Sequence, residues 1–543
     1  MESGKKRIST SKKYDAAFIL NAMLWLVFVL QAAAVVYFNL FELKCHMGFD
    51  SSWMILKTFL INKEHAFFRG PWIEQNNLDL DTSLLPATFL YAITGKIYLS
   101  YALGNLIIFV PIILSFHSIL KKLNLGTASR LFALNMLISP YLVTGYNLIN
   151  LGYAECFIWG PAYYNLRILT ILLTINEYIN IKKHGELGIL SIVTLALYFF
   201  SGISCGVFLL VIFIFPCLVF VVLRTLLKND IKVLTRKESV YFYLITGAAL
   251  VGKEFASKVL GIRIIDASRT WTTLESFFNN IQAPFLGLMK LVGALPTKDK
   301  VEILSAKGIM QLFPLFIFAV VVLSVVFTCI YIKKNIAKDE RCETLSLLIT
   351  VVAVNYASLS LFNVVYGSDV FEERYLICSF VVLLLIAAFY IDRLDMSKLF
   401  SKLLCIGLLL SLFMNNIVSD ATYHKENNSV FYVDEISEVV KSQDAGLIYV
   451  YGNNLSTLEF IIRVYDFDHV YKYVQENNAI YHSGDYLYYD DASEYSGPTL
   501  LIVHHRDNNL PDEVMEQYTL VQSINDRIDI YRADANPMAE VIS

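Results

Sequence analysis

The chain has 543 residues, 56% of apolar type and only 17% charged, with a mean hydropathy of +0.53. A soluble domain carries about a quarter charged residues, so the composition excludes an ordinary soluble protein. The net charge of −4 comes with no basic domain and no phosphate-binding glycine loop, so nothing points to nucleic acid or to a nucleotide triphosphate.

A bilayer core about 30 Å thick needs about 20 apolar residues per helix. The sequence predicts eleven spans: Ala16–Leu40, Tyr98–Leu120, Ser129–Ile149, Tyr163–Ile179, Leu187–Phe200, Ser204–Leu227, Val240–Leu260, Ile309–Ile332, Leu345–Asn363, Tyr375–Ile391 and Leu399–Val418. Residues 1–15 form a tail carrying Lys5, Lys6, Arg7, Lys12 and Lys13, and the apolar run behind it is too long for a cleaved signal peptide. It is predicted to be an uncleaved anchor. The fifth span is short and ends at Ser201-Gly202, which suggests a half-hairpin or a broken helix.

Basic residues alternate from loop to loop. Lys121, Lys122 and Arg130, then Lys182 and Lys183, then Arg224, Lys228, Lys232, Arg236 and Lys237, then Lys333, Lys334, Lys338 and Arg341, and lastly Arg393, Lys398 and Lys402 fall in every second gap. The short loops between them hold Arg167 and Arg374. Lysine and arginine in short loops stay in the cytoplasm, so the N-terminus is predicted inside and the segment from 419 to 543 outside.

Within the predicted membrane domain, residues 16–418, two outer segments are long, 41–97 and 253–308. Both mix apolar and polar residues at helical spacing, as in Trp53-Met54-Ile55-Leu56 and Phe277-Phe278…Phe285-Leu286, a pattern suited to helices lying in the interface plane. The tail beyond Ser419 reads as a small α/β domain of about 120 residues, enough for its own core. Its predicted strands are 447–451, Leu500–His504 and Ile528–Arg532, with helices over Leu455–Val464 and Asp512–Tyr518. The eight cysteines (Cys45, Cys156, Cys205, Cys217, Cys329, Cys342, Cys378 and Cys405) have neither zinc-site nor disulfide-framework spacing and are assigned to packing.

The first outer segment is the richest in chemistry. It opens on Gly48-Phe49-Asp50-Ser51-Ser52-Trp53 and continues through Arg69-Gly70-Pro71-Trp72 to Leu78-Asp79-Leu80-Asp81-Thr82. Asp50 is either a partly desolvated carboxylate poised as a base or the N-cap of the helix that follows. Asp79 and Asp81 are candidates for acceptor or metal binding; otherwise they are solvated, or Asp81 caps a helix starting at Ser83. Arg374, in Glu372-Glu373-Arg374-Tyr375 at the outer end of the tenth span, presents a fork suited to phosphate. Its alternatives are pairing with Glu372 or Glu373 and anchoring the helix at the interface. Arg167, with Glu155 nearby in sequence, and Lys253, an ionisable residue within a span, are further phosphate candidates. His504 and His505 point to opposite faces of a strand and cannot share a metal.

Gly48-Phe49-Asp50-Ser51-Ser52 after the first span, Leu80-Asp81-Thr82 later in that segment, Glu373-Arg374-Tyr375 before the tenth span and the outer α/β domain together resemble the C-type superfold (GT-C) of membrane glycosyltransferases. The likeness is to the bacterial group that uses polyprenyl-phosphate sugars. Asp50 is followed by Ser51, where many members carry a second carboxylate. The resemblance implies inverting transfer of a sugar from a polyprenyl-phosphate donor, outside the cytoplasmic membrane, to a glycan, lipid-linked glycan or protein acceptor. Asp50 would be the base, and Arg374 with Lys253 or Arg167 would hold the donor phosphate, with Glu373 and Tyr375 in support. Asp79 and Asp81 would orient the acceptor or hold a divalent cation, and no cofactor is required. Tyr486, Tyr488 and Tyr489 would line the mouth of the site. The alternatives are a transporter or flippase, or a polymerase, of lipid-linked glycans.

Overall fold

The computed structural model describes residues 3–65, 67, 78–141, 152–160, 162–262, 270–295, 302, 304–363, 373–425, 432–452, 455–474, 495–504 and 510–539. Arg69–Trp72, Glu372, His505 and the tyrosines 486, 488 and 489 lie outside them.

The helical body begins with α1 (Ser3–Tyr37), α2 (Phe49–Glu64), α3 (Leu84–Thr94), α4 (Ile97–Lys122) and α5 (Thr127–Ile138). It continues with α6 (Asn165–His184), α7 (Ile189–Cys205), α8 (Phe215–Lys228) and α9 (Lys237–Lys258). A two-residue strand, β1 (Thr270–Trp271), then leads into α10 (Leu274–Leu291), α11 (Ala306–Asn335) and α12 (Arg341–Leu361). Strand β2 (Phe362–Asn363) pairs antiparallel with β1, and α13 (Ile377–Asp392) and α14 (Leu399–Lys425) close the body. Every predicted span is at least partly helical. Seven helices among the described residues are long and apolar enough to cross a membrane; the spans on α5, α6, α7 and α9 are not among them. Helices α5 and α7 are apolar but only 12 and 17 residues long, and α6 carries Asn165, Arg167, Asn176 and Glu177, all buried.

Helix α13 is apolar all round and buried from Ile377 to Ile391, as a helix without a polar face must be. It runs through the largest core, with α5, α11 and α12 packed against it and α4 and α6 alongside. At about 1.5 Å per residue it separates Arg374 from Asp392 by roughly 25 Å. At the Asp392 end the basic loops meet. Asp392 accepts the Gly126 N–H at 2.7 Å, and Glu343 draws in Lys182 at 3.1 Å together with Arg224 and Lys228. The loops that the charge pattern assigns to one side thus share one end of the bundle.

The predicted break at Ser201-Gly202 is absent, because α7 runs unbroken to Cys205. Glycine serves a different purpose there. A Cβ on Gly202 would run into the Ala249 carbonyl of α9, and one on Gly252 into the Phe199 carbonyl of α7, so the two backbones touch.

The C-terminal domain contains α15 (Val433–Ser442), β3 (Leu447–Tyr451), α16 (Ser456–Tyr465), β4 (Val470–Val474), β5 (Thr499–His504), α17 (Asp512–Met515), β6 (Thr519–Ile524) and β7 (Ile528–Ala533). Its sheet order is β4-β3-β5-β7-β6, with β4, β3 and β5 parallel and the β5–β7 and β7–β6 pairs antiparallel. The expected strands and the first helix are present, whereas the second expected helix spans only Asp512–Met515. Ile448, Val450, Leu500 and Ile502 face α15 and α16, and that layer continues into Trp53, Met54, Leu56 and Leu60 of α2. Helix α2, expected to lie in the interface plane, thus buries its apolar run against protein. Its run Trp53-Met54-Ile55-Leu56 is apolar on every side and is enclosed by α3 and α16.

Candidate active site

Two residues 324 positions apart meet at the end of the bundle where the C-terminal domain sits. The Arg374 guanidinium donates to the Asp50 carboxylate. Asp50 does not cap α2. Gly48 is the N-cap residue, its N–H donates to the Ser51 hydroxyl at 2.7 Å, and the Ser52 N–H donates to the Gly48 carbonyl at 3.0 Å. Asp50 stands in the first turn, where the exposed N–H groups and helix dipole favour a negative charge. The Tyr163 hydroxyl donates to its backbone carbonyl at 3.1 Å. The Asp50 and Arg374 side chains are 27% and 25% exposed, held by protein yet open to a small group.

Arg374 lies in a 3-10 turn, Glu373–Leu376, that feeds directly into the rigid axis of α13. Glu373 does not pair with it. Lys290 of α10 reaches both Glu373 oxygens, at 3.0 and 3.1 Å, tying the turn to α10. The Tyr375 ring lies 5.9 Å from the Arg374 guanidinium carbon.

The Asp79 and Asp81 carboxylates belong to a second, buried cluster. Arg167 donates to both oxygens of Asp81, at 3.0 and 2.9 Å, and stands 3.5 Å from Asp79. Lys57 of α2 donates to Asp79 at 3.1 Å. The hydroxyls of Ser201 and Ser204 and the thiol of Cys205, all on α7, also donate to Asp81. Burial alone would raise the Asp81 pKa. Arg167 and these donors outweigh it and hold the carboxyl below its ordinary value.

Two carboxylates and two cations thus neutralise one another out of contact with solvent; Asp79, Asp81, Arg167 and Lys57 are each 4% exposed or less. Arg167, expected to bind phosphate, and Asp79 and Asp81, expected to bind acceptor or cation, stand here in mutual ion pairs, with one buried Asp79 oxygen accepting no hydrogen bond among the described residues. Capping by Asp81 gives way to Thr82, whose hydroxyl accepts the Leu84 N–H at 3.2 Å. Among the described residues no group of three His, Cys, Asp or Glu could hold a metal ion. Lys253, half-buried on α9, is joined to neither cluster by a hydrogen bond or ion pair among the described residues.

Sequence reasoning missed Lys57, Lys290 and Tyr163. Lys57 had a readable signal, since it follows Asp50 by seven residues and so falls on the same helix face. Lys290 had none, because its partner is distant in sequence.

No protein-family model matches the chain, and no curated protein matches its sequence. Among solved structures it is similar to ArnT from Cupriavidus metallidurans in the apo state, at 11% identity and a TM-score of 0.55 over 96% of this chain and 99% of that one. ArnT bound to undecaprenyl phosphate is similar over the same shares, with a TM-score of 0.54 and 11% identity. At that identity the likeness is one of fold, and it runs nearly end to end through body and C-terminal domain alike. The chain is a largely helical protein with the fold of ArnT, and seven helices among its described residues are long and apolar enough to cross a membrane.

Proposed function

We propose that the protein transfers a sugar, with inversion, from a polyprenyl-phosphate donor to a hydroxyl of a glycan, lipid-linked glycan or protein acceptor. The observation that carries this reading is the half-buried pairing of Asp50 with Arg374. One group accepts a proton and the other neutralises a leaving phosphate, and the two stand next to each other on separate rigid elements. A transferase with a phosphate leaving group needs positioning, a base and a cation.

In this reading the donor phosphate engages the Arg374 guanidinium and takes over its contact with Asp50. The acceptor oxygen then forms a bond to the anomeric carbon while the bond from that carbon to the phosphate oxygen breaks. The phosphate leaves with the bonding electron pair and the acceptor proton passes to Asp50. A single displacement inverts the anomeric centre. Arg374 meets the growing phosphate charge through two N–H groups in a fixed plane, which a lysine would not reproduce. Lys290 and Glu373 hold the turn that carries it.

The basic loops at the far end of α13 support a topology in which that end is cytoplasmic. The Asp50–Arg374 end and the C-terminal domain would then lie outside, in the cytoplasmic membrane of a bacterium. The ArnT structure with undecaprenyl phosphate supports a polyprenyl phosphate as the lipid partner. The test is release of undecaprenyl phosphate from undecaprenyl-phosphate hexoses by membranes containing the parent or Asp50→Asn. Turnover by the parent and its loss in Asp50→Asn at equal expression is the expected result; equal turnover by both would overturn the assignment of Asp50.

A further inference from the structure

The pairing of Lys57 with Asp79 has a geometric consequence for Asp50. The two α2 side chains are seven residues apart, a rotation within about 20° of a whole number of turns and an axial rise of about 10 Å. They form one stripe along the helix. Asp50 meets Arg374 at the upper end of that stripe, and Lys57 meets Asp79 two turns below. Most of the other α2 side chains are apolar and pack on α3 and α16, and apolar burial is non-directional. It fixes how deeply the helix sits far better than its roll. For the roll, the directional side-chain contacts of the lower half include the Lys57–Asp79 pair and, beside it, the Thr58 hydroxyl with Thr88 and Tyr101 and the Asn62 amide with the Thr88 carbonyl.

The lower contact is anchored to the body of the protein. Asp79, in a left-handed backbone conformation at φ 57°, also faces Arg167 at 3.5 Å. Arg167 is locked to Asp81, and Asp81 to Ser201, Ser204 and Cys205. The Leu78 N–H donates to the Ser204 carbonyl at 2.8 Å, and the Asp81 N–H to the Ser204 hydroxyl at 3.0 Å. This chain of hydrogen bonds joins α2 to α6 and α7.

We propose that Lys57 and Asp79 are positioning residues: their ion pair sets the roll of α2 and so aims the Asp50 carboxylate at the reacting centre. The proposal rests on the reading of Asp50 as the base. It separates two roles of a buried pair. A pair that only stabilises can be exchanged for apolar residues without loss, whereas removing one partner strands a charge. A pair that positions cannot be exchanged, because apolar replacements restore stability but not direction.

The experiment compares the full-length parent with Lys57→Met, and with the double variant Lys57→Met/Asp79→Leu. It reads melting temperature, binding of undecaprenyl phosphate, and kcat and KM for an undecaprenyl-phosphate hexose. Lys57→Met is expected to melt lower, and the double variant to recover most of that loss. Undecaprenyl phosphate binding and KM in the double variant should stay near the parent values, because Arg374 is untouched. Its kcat should fall by about a hundredfold, the scale set by an ångström of misplacement. A stable double variant with parental kcat would overturn the positioning role. If the parent itself turns over no undecaprenyl-phosphate hexose, the transferase reading fails first and takes the proposal with it. If the double variant does not fold, Lys57→Gln/Asp79→Asn, which keeps a neutral hydrogen bond, is expected to fold and to retain more kcat than Lys57→Met. Equal kcat in those two would also overturn the proposal.

Discussion

Arg374 pairs with Asp50, not with Glu373, its neighbour in sequence. Lys290 pairs with Glu373, while the guanidinium donates to the carboxylate in the first turn of α2. In the proposed transfer the two members of the pair have separable duties. Asp50→Asn keeps the shape and hydrogen-bonding reach of the side chain but cannot take up a proton. It is expected to lower kcat by about 10²- to 10⁴-fold, the usual worth of a general base, with donor KM little changed. Arg374→Ala should raise donor KM and lower kcat together. Initial rates against donor concentration distinguish the two patterns, and identical patterns would show that the residues share one duty.

Asp81 supplies a pH test of the buried cluster. Its folded pKa lies below the ordinary value of 3.8, so folding favours the ionised form. The stabilisation is therefore complete above the unfolded pKa near 4 and is lost as pH falls through the folded value. Asp81→Asn leaves Arg167 buried beside a neutral group and should cost about 3–5 kcal/mol at neutral pH. In thermal melts the gap between parent and variant should be widest near pH 7 and close below about pH 4. A gap independent of pH would mean that the Asp81 charge does not contribute.

How much of this could be read from the sequence follows from what each residue needs. Asp50 and Arg374 stood out as ionisable groups at the ends of apolar spans, each with a bland reading beside the functional one: an N-cap for Asp50, a neighbouring glutamate or an interface anchor for Arg374. Their meeting across 324 residues was expected from topology, which sets the outer end of the tenth span opposite the first outer segment; the direct contact itself is made by tertiary packing. Lys57 was hidden by its neighbours. Trp53-Met54-Ile55-Leu56 suggested a membrane-surface helix, on which a lysine is unremarked, whereas the enclosed helix makes it a buried cation in need of a partner. In the C-terminal domain the buried strands β3 and β5 were found from continuous apolar runs. Strand β6 escaped because it is an edge strand, mostly exposed, with Thr519, Gln522 and Ser523 among its six residues.

The close approach of α7 and α9 should be intolerant of a single methyl group. Gly202→Ala and Gly252→Ala each place a Cβ against a carbonyl of the opposite helix, where backbone and not a flexible side chain must yield. Overpacking of this kind costs about 1–3 kcal/mol. Gly202 lies between Ser201 and Ser204, both donors to Asp81, so its variant should also disturb that cradle. Melting temperatures should fall for both variants. Only Gly202→Ala should narrow the pH-dependent gap attributed to Asp81.

The C-terminal domain is seated on the helix that carries Asp50, and that contact can be loosened without touching either charged cluster. Phe467 stacks on Phe59 of α2 with ring centroids 4.6 Å apart. The Tyr465 hydroxyl donates to the Lys44 carbonyl at 2.5 Å, the Tyr98 hydroxyl donates to the Val464 carbonyl, and the Lys44 ammonium sits 4.4 Å from the Tyr465 ring centre. An aromatic pair adds about 0.5–1.5 kcal/mol beyond its buried area, so Phe467→Ala should weaken the seat without unfolding the sheet, whose own core lies on the other side of α16. Amide exchange should then quicken in α2 and α16 while β3 and β5 stay protected. Combined with Tyr465→Phe, which removes the bond to Lys44, the effect should grow. Quickened exchange spread evenly over the whole domain would mean instead that Phe467 supports the domain's own fold and not its attachment to α2.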